Sequence, residues 1–282
     1  MITRTTTIDS TSLLFFLTSS LCSAAPITFN TALPISKNQF ILREQLISEQ
    51  LSGNNIERNT QSLVSTLVYG ISANFATFAE LPLTRTELEA PSFTQSESGI
   101  GDARLFGRYT AFSINSPGKT FRIAPFFGIE FPTGENSVNQ PLNLGSGSYD
   151  FFAGTVATYA TTNWTIDTQF SYQKNGTSND LNIGDNVRID GSFQYRLIPQ
   201  KLTIDTTHFI NGVVELNIIN QQEDTLNGIS SDNSSTQAFI SPGLQYISQR
   251  WIVETNVQIP LNNNNSVLQT DYIARIGIRA NF

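Results

Sequence analysis

The sequence predicts an all-β fold, a transmembrane antiparallel up-and-down β-barrel of about 12 strands. Three observations predict it. Hydrophobic residues alternate with polar ones over ten or so positions at a time, which is the period of a strand with one greasy face and one wet face. Beyond the first 25 residues no stretch of about 20 apolar residues exists, so no helix is available to cross a bilayer. The connections between alternating runs are short and long by turns, as in barrels with tight turns at one rim and loops at the other.

Composition agrees. Charged residues make up 14% of 282, below the usual quarter of soluble domains, while Phe (20) and Tyr (8) are abundant. A mean hydropathy of -0.13 suits strands that meet lipid on one face only. A net charge of -7 without a basic stripe argues against a nucleic-acid partner.

Residues 1–25 read as a cleaved signal peptide and 26–282 as the barrel domain. Arg4 opens it, Leu13 to Leu21 supply a short apolar run, and Cys22-Ser23-Ala24-Ala25 precede Pro26, which places cleavage after Ala24 or Ala25. Leu21 is large where a lipid-attachment site at Cys22 would require a small residue. Cleavage leaves a mature chain without cysteine and therefore without disulfides.

Strands are expected near 40–51, 61–71, 74–84, 101–113, 120–131, 149–161, 164–175, 186–197, 202–220, 236–247, 251–260 and 270–282. Phe121, Ile123, Phe127, Ile129 and Phe131 oppose Arg122, Ala124, Phe126, Gly128 and Glu130. Trp164, Ile166, Phe170 and Tyr172 oppose Thr165, Asp167, Gln169 and Ser171, and Val187, Ile189, Phe193, Tyr195 and Leu197 oppose Arg188, Asp190, Ser192, Gln194 and Arg196. Trp251, Val253, Val257 and Ile259 oppose Glu254, Asn256 and Gln258. Short turns are expected near 72–73, 162–163 and 199–200, and longer loops at 85–100, 132–148, 176–185, 221–235 and 261–269.

Asn211-Gly212 is a strong hairpin signal. Read as a turn it would leave two strands too short to span and an odd count, whereas bacterial barrels keep even counts. The expectation is therefore one long strand with a bulge at Gly212. The last strand places Tyr272, Ala274, Ile276, Ile278, Ala280 and Phe282 on one face.

Strands of ten to twelve residues are longer than the five or six usual in soluble sandwiches and match a tilted bilayer crossing. The polar faces carry Arg104, Arg108, Arg122, Glu130, Asp167, Arg188, Asp190, Arg196, Asp205, Glu254, Arg275 and Arg279, charges that a lumen can pair. All of these except Asp205 and Arg279 are candidate lumen or selectivity residues, although arginines paired with Glu130, Asp167 and Asp190 as simple barrel filling is the more economical reading.

Several motifs resemble those of the outer-membrane β-barrel transporter family named for the meta-pathway of phenol degradation. They are Val68-Tyr69-Gly70-Ile71, Phe78, Leu81-Pro82, Gly99-Ile100-Gly101-Asp102, Gly107-Arg108-Tyr109, Glu130-Phe131-Pro132-Thr133-Gly134, Gly145-Ser146-Gly147-Ser148, Ser241-Pro242-Gly243-Leu244-Gln245-Tyr246, Glu254, Pro260 and Gly277-Ile278-Arg279. The resemblance runs from about residue 30 to 282. It implies a barrel that carries small, often hydrophobic molecules, and specifies no ligand and no catalytic residue. The ending Gly277, Ile278, Ala280 and Phe282 resembles the signal read by the barrel-assembly machinery.

The lone His208 excludes ordinary multi-histidine zinc sites, and no serine is tied to it by spacing. Asp180, Asp185, Asn179, Asn182 and Asn186 form an oxygen-rich loop that reads as solvated rather than as a calcium site. No Walker, dinucleotide or nucleophile-elbow motif is present. The sequence therefore points to a non-enzymatic channel in the cell outer membrane, in contact with outer-membrane lipid, without cofactors, for passive or facilitated uptake of small molecules of a hydrophobic or aromatic class that the sequence does not name. The rivals are a plugged structural or adhesive barrel and an outer-membrane lipid hydrolase.

Overall fold

Twelve antiparallel strands close on themselves in a computed structural model that describes residues 24–135, 142–203, 205–262 and 268–282. Residues 1–23 of the expected signal peptide, with Cys22, and residues 263–267 of the loop expected at 261–269 lie outside the described residues. We number the strands β1 (Phe40–Gly53), β2 (Ile56–Gly70), β3 (Phe75–Ala90) and β4, which runs in three consecutive pieces (Phe93–Ile100, Ala103–Tyr109 and Phe112–Ser116). They continue as β5 (Lys119–Phe131), β6 (Asp150–Thr161), β7 (Trp164–Lys174), β8 (Asn186–Ile198) and β9 (His208–Gln221). Last come β10 (Ser235–Ser248), β11 (Trp251–Pro260) and β12 (Gln269–Asn281). Each strand pairs with its sequence neighbours.

The seam joins β1 to β12 from Ile41 opposite Asn281 to Ser52 opposite Gln269. Phe40 and Phe282 exchange backbone hydrogen bonds of 3.2 and 2.9 Å at its end. Hydrocarbon offers backbone groups no partner, so a spanning sheet must leave no open edge. The 14 residues of β9, at about 3.3 Å rise and about 40° tilt, reach roughly 35 Å, enough to cross the apolar layer.

The expected alternation holds in the wall. On β9, His208, Ile210, Val214, Leu216 and Ile218 point outward while Phe209, Asn211, Val213, Glu215 and Asn217 point in, the last five all buried. Aromatic stacks ring the outside of the short-turn rim: Phe40 on Tyr69 (4.5 Å), Tyr159 on Trp164 (5.3 Å) and His208–Tyr246–Trp251 (5.6 and 5.2 Å). At the opposite end Phe131 meets Tyr149 edge-on at 6.1 Å. Two such belts are what amphipathic rings form at the two membrane–water boundaries. Glu44 is a polar interruption on the outer wall, set among Leu42, Leu46 and Leu67 and bonded by the Ser65 hydroxyl at 2.7 Å.

Three expectations are corrected. The loop expected at 85–100 is wall: β3 and β4 stay paired to Ala90 opposite Phe93, because Thr86 and Leu88 keep the period of two and the chain reverses over two residues. The strand expected from 202 begins at His208, so Asp205 is an exposed loop residue. No bulge occurs at Gly212, which pairs in register with Tyr195 and Leu244; the irregularity lies on β8 between Arg196 and Ile198, ahead of Pro199. Proline lacks the N–H that the ladder would use there.

Replacing outward-facing Val214, midway along β9, with Arg is expected to destabilise the folded barrel by about 2–4 kcal/mol. Urea-dependent unfolding in lipid vesicles would measure it; a change within error would mean that this face does not touch hydrocarbon.

Candidate functional site

The barrel interior is too wide for wall side chains alone to fill, and the chain's own N-terminal segment occupies it. Residues 24–36 enter beside β2, where Asn38 N–H bonds the Gly70 carbonyl at 2.7 Å, and run as non-strand chain through the lumen. Such a segment has no ladder, yet its buried N–H and C=O groups need partners. The wall supplies them, acceptors for the N–H groups and donors for the carbonyls.

Glu215, on β9, is fully buried and accepts from Ile27 N (2.6 Å), Thr28 N (3.2 Å) and Thr28 Oγ1 (2.7 Å). Asp167, on β7, accepts from Thr31 Oγ1 (2.8 Å), from the Thr158 hydroxyl and from Gln194 Nε2 (3.2 Å). Thr158 also accepts from Ala32 N at 2.7 Å. In the other direction, Arg108 donates to the Thr31 and Leu33 carbonyls, the latter at 2.8 Å. Gln245 donates to Ala25 O (2.7 Å), Gln45 to Ile27 O (3.1 Å) and Arg43 to Ile27 O (2.7 Å). Hydrogen bonds to charged groups contribute about 1.5–3 kcal/mol each, so the segment is held as firmly as a folded element. Ala32 packs between Ala124 and Val156, all three without exposed surface.

A charge cluster lies beneath the seam. Glu254 is bound by Arg43 at 2.6 Å and Arg279 at 3.0 Å, and accepts from Gln45 and Gln245 at 3.2 Å each. Gly277 faces inward beside it, where an added Cβ would stand 3.0 Å from Gln45 Cγ. Ile276, Ile278 and Phe282 face outward and are exposed.

The other candidate residues are distributed around the lumen. Arg104 pairs with Glu130 at 3.0 Å and lies 4.2 Å over the Phe152 ring. Arg188 binds Asp190 at 2.8 Å and reaches the Thr28 carbonyl at 3.3 Å. Asp190 also accepts from Asn217 at 2.7 Å. Arg275 bonds Gln258. Arg122 stays near the short-turn rim on Thr120 (3.2 Å) and Asn115 (3.1 Å), and Arg196 there binds Asn163 (3.2 Å) and the Thr162 carbonyl. The structure thus brings Asp167, Arg108 and Arg188 onto one inserted segment, ties Glu254 to it only through Arg43, Gln45 and Gln245, and leaves Arg104, Arg122, Arg196 and Arg275 apart from it. Asp167 is met by hydroxyls and an amide, not by an arginine, at hydrogen-bonding distance.

Sequence reasoning missed Glu215, Arg43, Gln45 and Gln245. The first three were available from phase, since Arg43 and Gln45 alternate with Leu42 and Leu46, and Glu215 with Val214 and Leu216. It also missed an apolar sector of the lumen: Phe78, Phe106, Phe126 and Phe152 stack on β3–β6, with Phe78 and Phe106 4.4 Å apart and nearly parallel. These rings lie across neighbouring strands over Gly128 and Gly154, where any Cβ would come within 2.4 Å of a Phe atom at the first and 2.5 Å at the second.

The Gly-rich motifs form a loop anchorage. Asp102, at a break in β4, accepts from Gly134 N (2.8 Å) and Ser146 N (2.6 Å), while Thr133 Oγ1 donates to Gly101 O (2.7 Å) and accepts from Ala103 N (2.8 Å). The described parts of the β5–β6 connection are thereby drawn against the wall. The oxygen-rich β7–β8 loop is bonded within itself and to the β9–β10 connection: Gly184 N donates to Asp224 (2.8 Å), Leu181 and Asn182 pair with Leu226 and Thr225, and Asp185 accepts from Tyr172, Asn175 N (2.9 Å) and Lys174 (3.4 Å). Partial desolvation pushes its carboxyl up, but those bonds together hold it below the usual carboxylate range. His208 stands on the outer wall with Thr207 Oγ1 3.1 Å from Nδ1, and no hydrogen bond from it to a serine or carboxylate is found among the described residues.

Two cavities flank the inserted segment toward the short-turn rim. One of about 490 Å³ lies against β1–β4 and β12, the other of about 430 Å³ against β4–β9. A closed twelve-strand barrel with aromatic belts outside and a wet, charged lumen inside defines the class of outer-membrane β-barrel proteins.

The chain belongs to the family described as "Putative MetA-pathway of phenol degradation", which matches residues 52–270. Among solved structures it is similar to the COG4313 outer membrane channel from Pseudomonas putida F1, at 13% identity and a TM-score of 0.73 over 92% of this chain and 100% of that one. It is also similar to the beta domain of the Bordetella autotransporter BrkA, at 10% identity and a TM-score of 0.50 over 87% of this chain and 100% of that one. No curated protein matches it.

Two outcomes follow from this geometry. Glu254→Ala leaves Arg43 and Arg279 buried without their carboxylate and is expected to cost about 3–5 kcal/mol of barrel stability, read as a lower unfolding midpoint in denaturant. Asp102→Ala should leave the barrel folded but expose the β5–β6 connection, so limited proteolysis would cut within 132–148 at a rate well above the parent chain's; equal rates would show that Asp102 does not anchor it.

Proposed function

We propose that the chain is an outer-membrane channel of a two-membrane bacterium, through which small molecules pass without chemical change and without an energy source. Family membership and the fold shared with an outer-membrane channel support this reading. The observation that carries it is the lumen itself, lined by polar and charged side chains and holding ligand-sized cavities on both sides of the inserted segment. A barrel serving only as a membrane anchor has no need of such space. On this reading the short-turn rim faces the periplasm, where barrels keep both chain ends. The strand ending at Phe282 is then the part presented to the barrel-assembly machinery. No catalysis is proposed, since His208 faces lipid and stacks on Tyr246.

One observation favours the plugged structural barrel instead: residues 24–36 are bonded into the lumen from β1 round to β10. The two readings separate in planar bilayers. A refolded chain lacking residues 24–35 is expected to conduct several-fold more than the full chain, with the full chain still above protein-free bilayers. Absence of current from either form would defeat the channel reading and leave the structural one.

A further inference from the structure

Glu44 is an acid in a wall that meets hydrocarbon. It lies opposite Ile278 on β12 and Ser65 on β2, and its outward neighbours Leu42, Leu46, Leu63, Leu67 and Ile278 are all exposed. It stands four residues along β1 from the rim ring Phe40, roughly 10 Å in depth at about 3.3 Å rise and about 40° tilt. Two outward steps further, the row Ser48, Gln61 and Arg85 marks the loop-side boundary. Between these limits no other charged side chain faces outward on β1, β2, β3 or β12 among the described residues. Glu44 is therefore near the middle of the apolar band.

Holding the wall together does not account for it. Ser65 donates to Glu44 Oε2 at 2.7 Å, and no hydrogen bond to Oε1 is found among the described residues. Acyl chains supply no donor, and a polar atom without a partner in hydrocarbon is costly. A leucine at this position would simply continue the surface of Leu42 and Leu46. An ionisable group on such a wall marks a contact with another polar surface at the same depth.

A second copy of this chain meets that requirement by symmetry. Two copies in one membrane are related by an axis along the bilayer normal, and such an axis leaves every residue at its own depth. When their β1–β2 faces touch, Glu44 of one copy meets Glu44 and Ser65 of the other. Two carboxyl groups brought face to face bond each other through a shared proton. Any other partner would have to bring a polar group to this depth independently. The face is also recessed beside Glu44: a groove of about 410 Å³ lies one outward step toward the loops, against Leu46, Leu63, Leu83 and Ile100. Close packing, rather than the hydrophobic effect, drives association between surfaces in lipid, and this recess gives the outward leucines of a facing copy a place to pack.

We infer that the β1–β3 face is a homodimer interface within the membrane, centred on Glu44 and Ser65, with the groove receiving apolar side chains of the second copy. The inference needs only the membrane-embedded barrel, so it stands or falls apart from conduction.

The mature chain, free of cysteine once the expected leader is removed, allows a direct test in lipid vesicles. Leu67→Cys, one outward step from Ser65, is expected to give disulfide-linked pairs with a mild oxidant, whereas Ile189→Cys on the opposite wall stays monomeric. Energy transfer between labelled copies, followed as added lipid dilutes the protein, reads the association constant. Glu44→Leu is expected to lower that constant about tenfold, and Glu44→Gln, whose amide also donates and accepts, to keep it within about twofold. Urea unfolding of the diluted monomer separates a contact from a role inside the wall: Glu44→Leu is expected to leave the midpoint unchanged or raise it. Should Glu44→Leu not fold, seen as loss of the heat-dependent shift in gel mobility, Ser65→Leu at the same contact takes its place. Equal cross-linking at both cysteine positions, association indifferent to the leucine variant, or a chain monomeric at every dilution overturns the inference. So does a lowered midpoint with association unchanged. A cross-link from Leu67→Cys to a protein of different mass in intact outer membranes, without the homodimer, assigns the face to another partner and overturns it as well.

Discussion

Everything in this molecule follows from the need to pair every backbone N–H and C=O where no water is available. In the wall the need is met by neighbouring strands, and it forces β1 to find β12. Twelve strands then enclose a lumen wider than facing side chains can fill. The chain meets this second problem with its own N-terminal segment, which brings a fresh set of unpaired backbone groups into the interior. The buried Glu215, Asp167, Gln245 and Arg108 answer that second demand. Polarity of the lumen is therefore as much a requirement of what fills it as of what passes through it.

The wall was legible in the sequence because its code is local. Trp164 to Tyr172 and Val187 to Leu197 state their own faces, residue by residue, and the parity of the strand count settled Asn211-Gly212 as strand interior. What eluded a local reading was of two kinds. Tight reversals without turn-forming glycine, such as the one after Ala90, look like loops when the neighbouring residues are as polar as Thr86, Glu87 and Glu89. Contacts between segments far apart in sequence leave no local trace at all. Nothing about Pro26 to Leu33 announces a path through the lumen, since its partners stand more than a hundred residues away at Thr158, Asp167 and Glu215.

The candidate lumen residues were found by phase, and phase gives direction only. It placed Arg108 and Asp167 inward without distinguishing a pair from two independent anchors of the same segment. It also treated the inner face as uniformly wet, although Phe126 sits there. The sector of Phe78, Phe106, Phe126 and Phe152 makes the interior two-sided, greasy along β3–β6 and charged along the seam. The family motifs likewise took on meaning only in three dimensions: Gly134 and Ser146 are brought to Asp102 across more than thirty residues of chain, so their spacing alone could be read as no more than turn punctuation.

The cluster at Glu254 gathers parts from both ends of the polypeptide: Arg43 and Gln45 from the first strand, Arg279 from the last, and Ile27 from ahead of both. Glu254 and Arg279 lie on neighbouring strands, but the bonds from Arg43 and Gln45 to Glu254 do not exist until the whole circumference has been laid down, and the outermost strands are the last to gain their second neighbour. Loop-closure entropy for so long a span is large and is recovered only when the ring shuts. Maturation of this barrel should therefore hinge on a single late event, in which threading of the inserted segment and zipping of the first and last strands happen together or not at all.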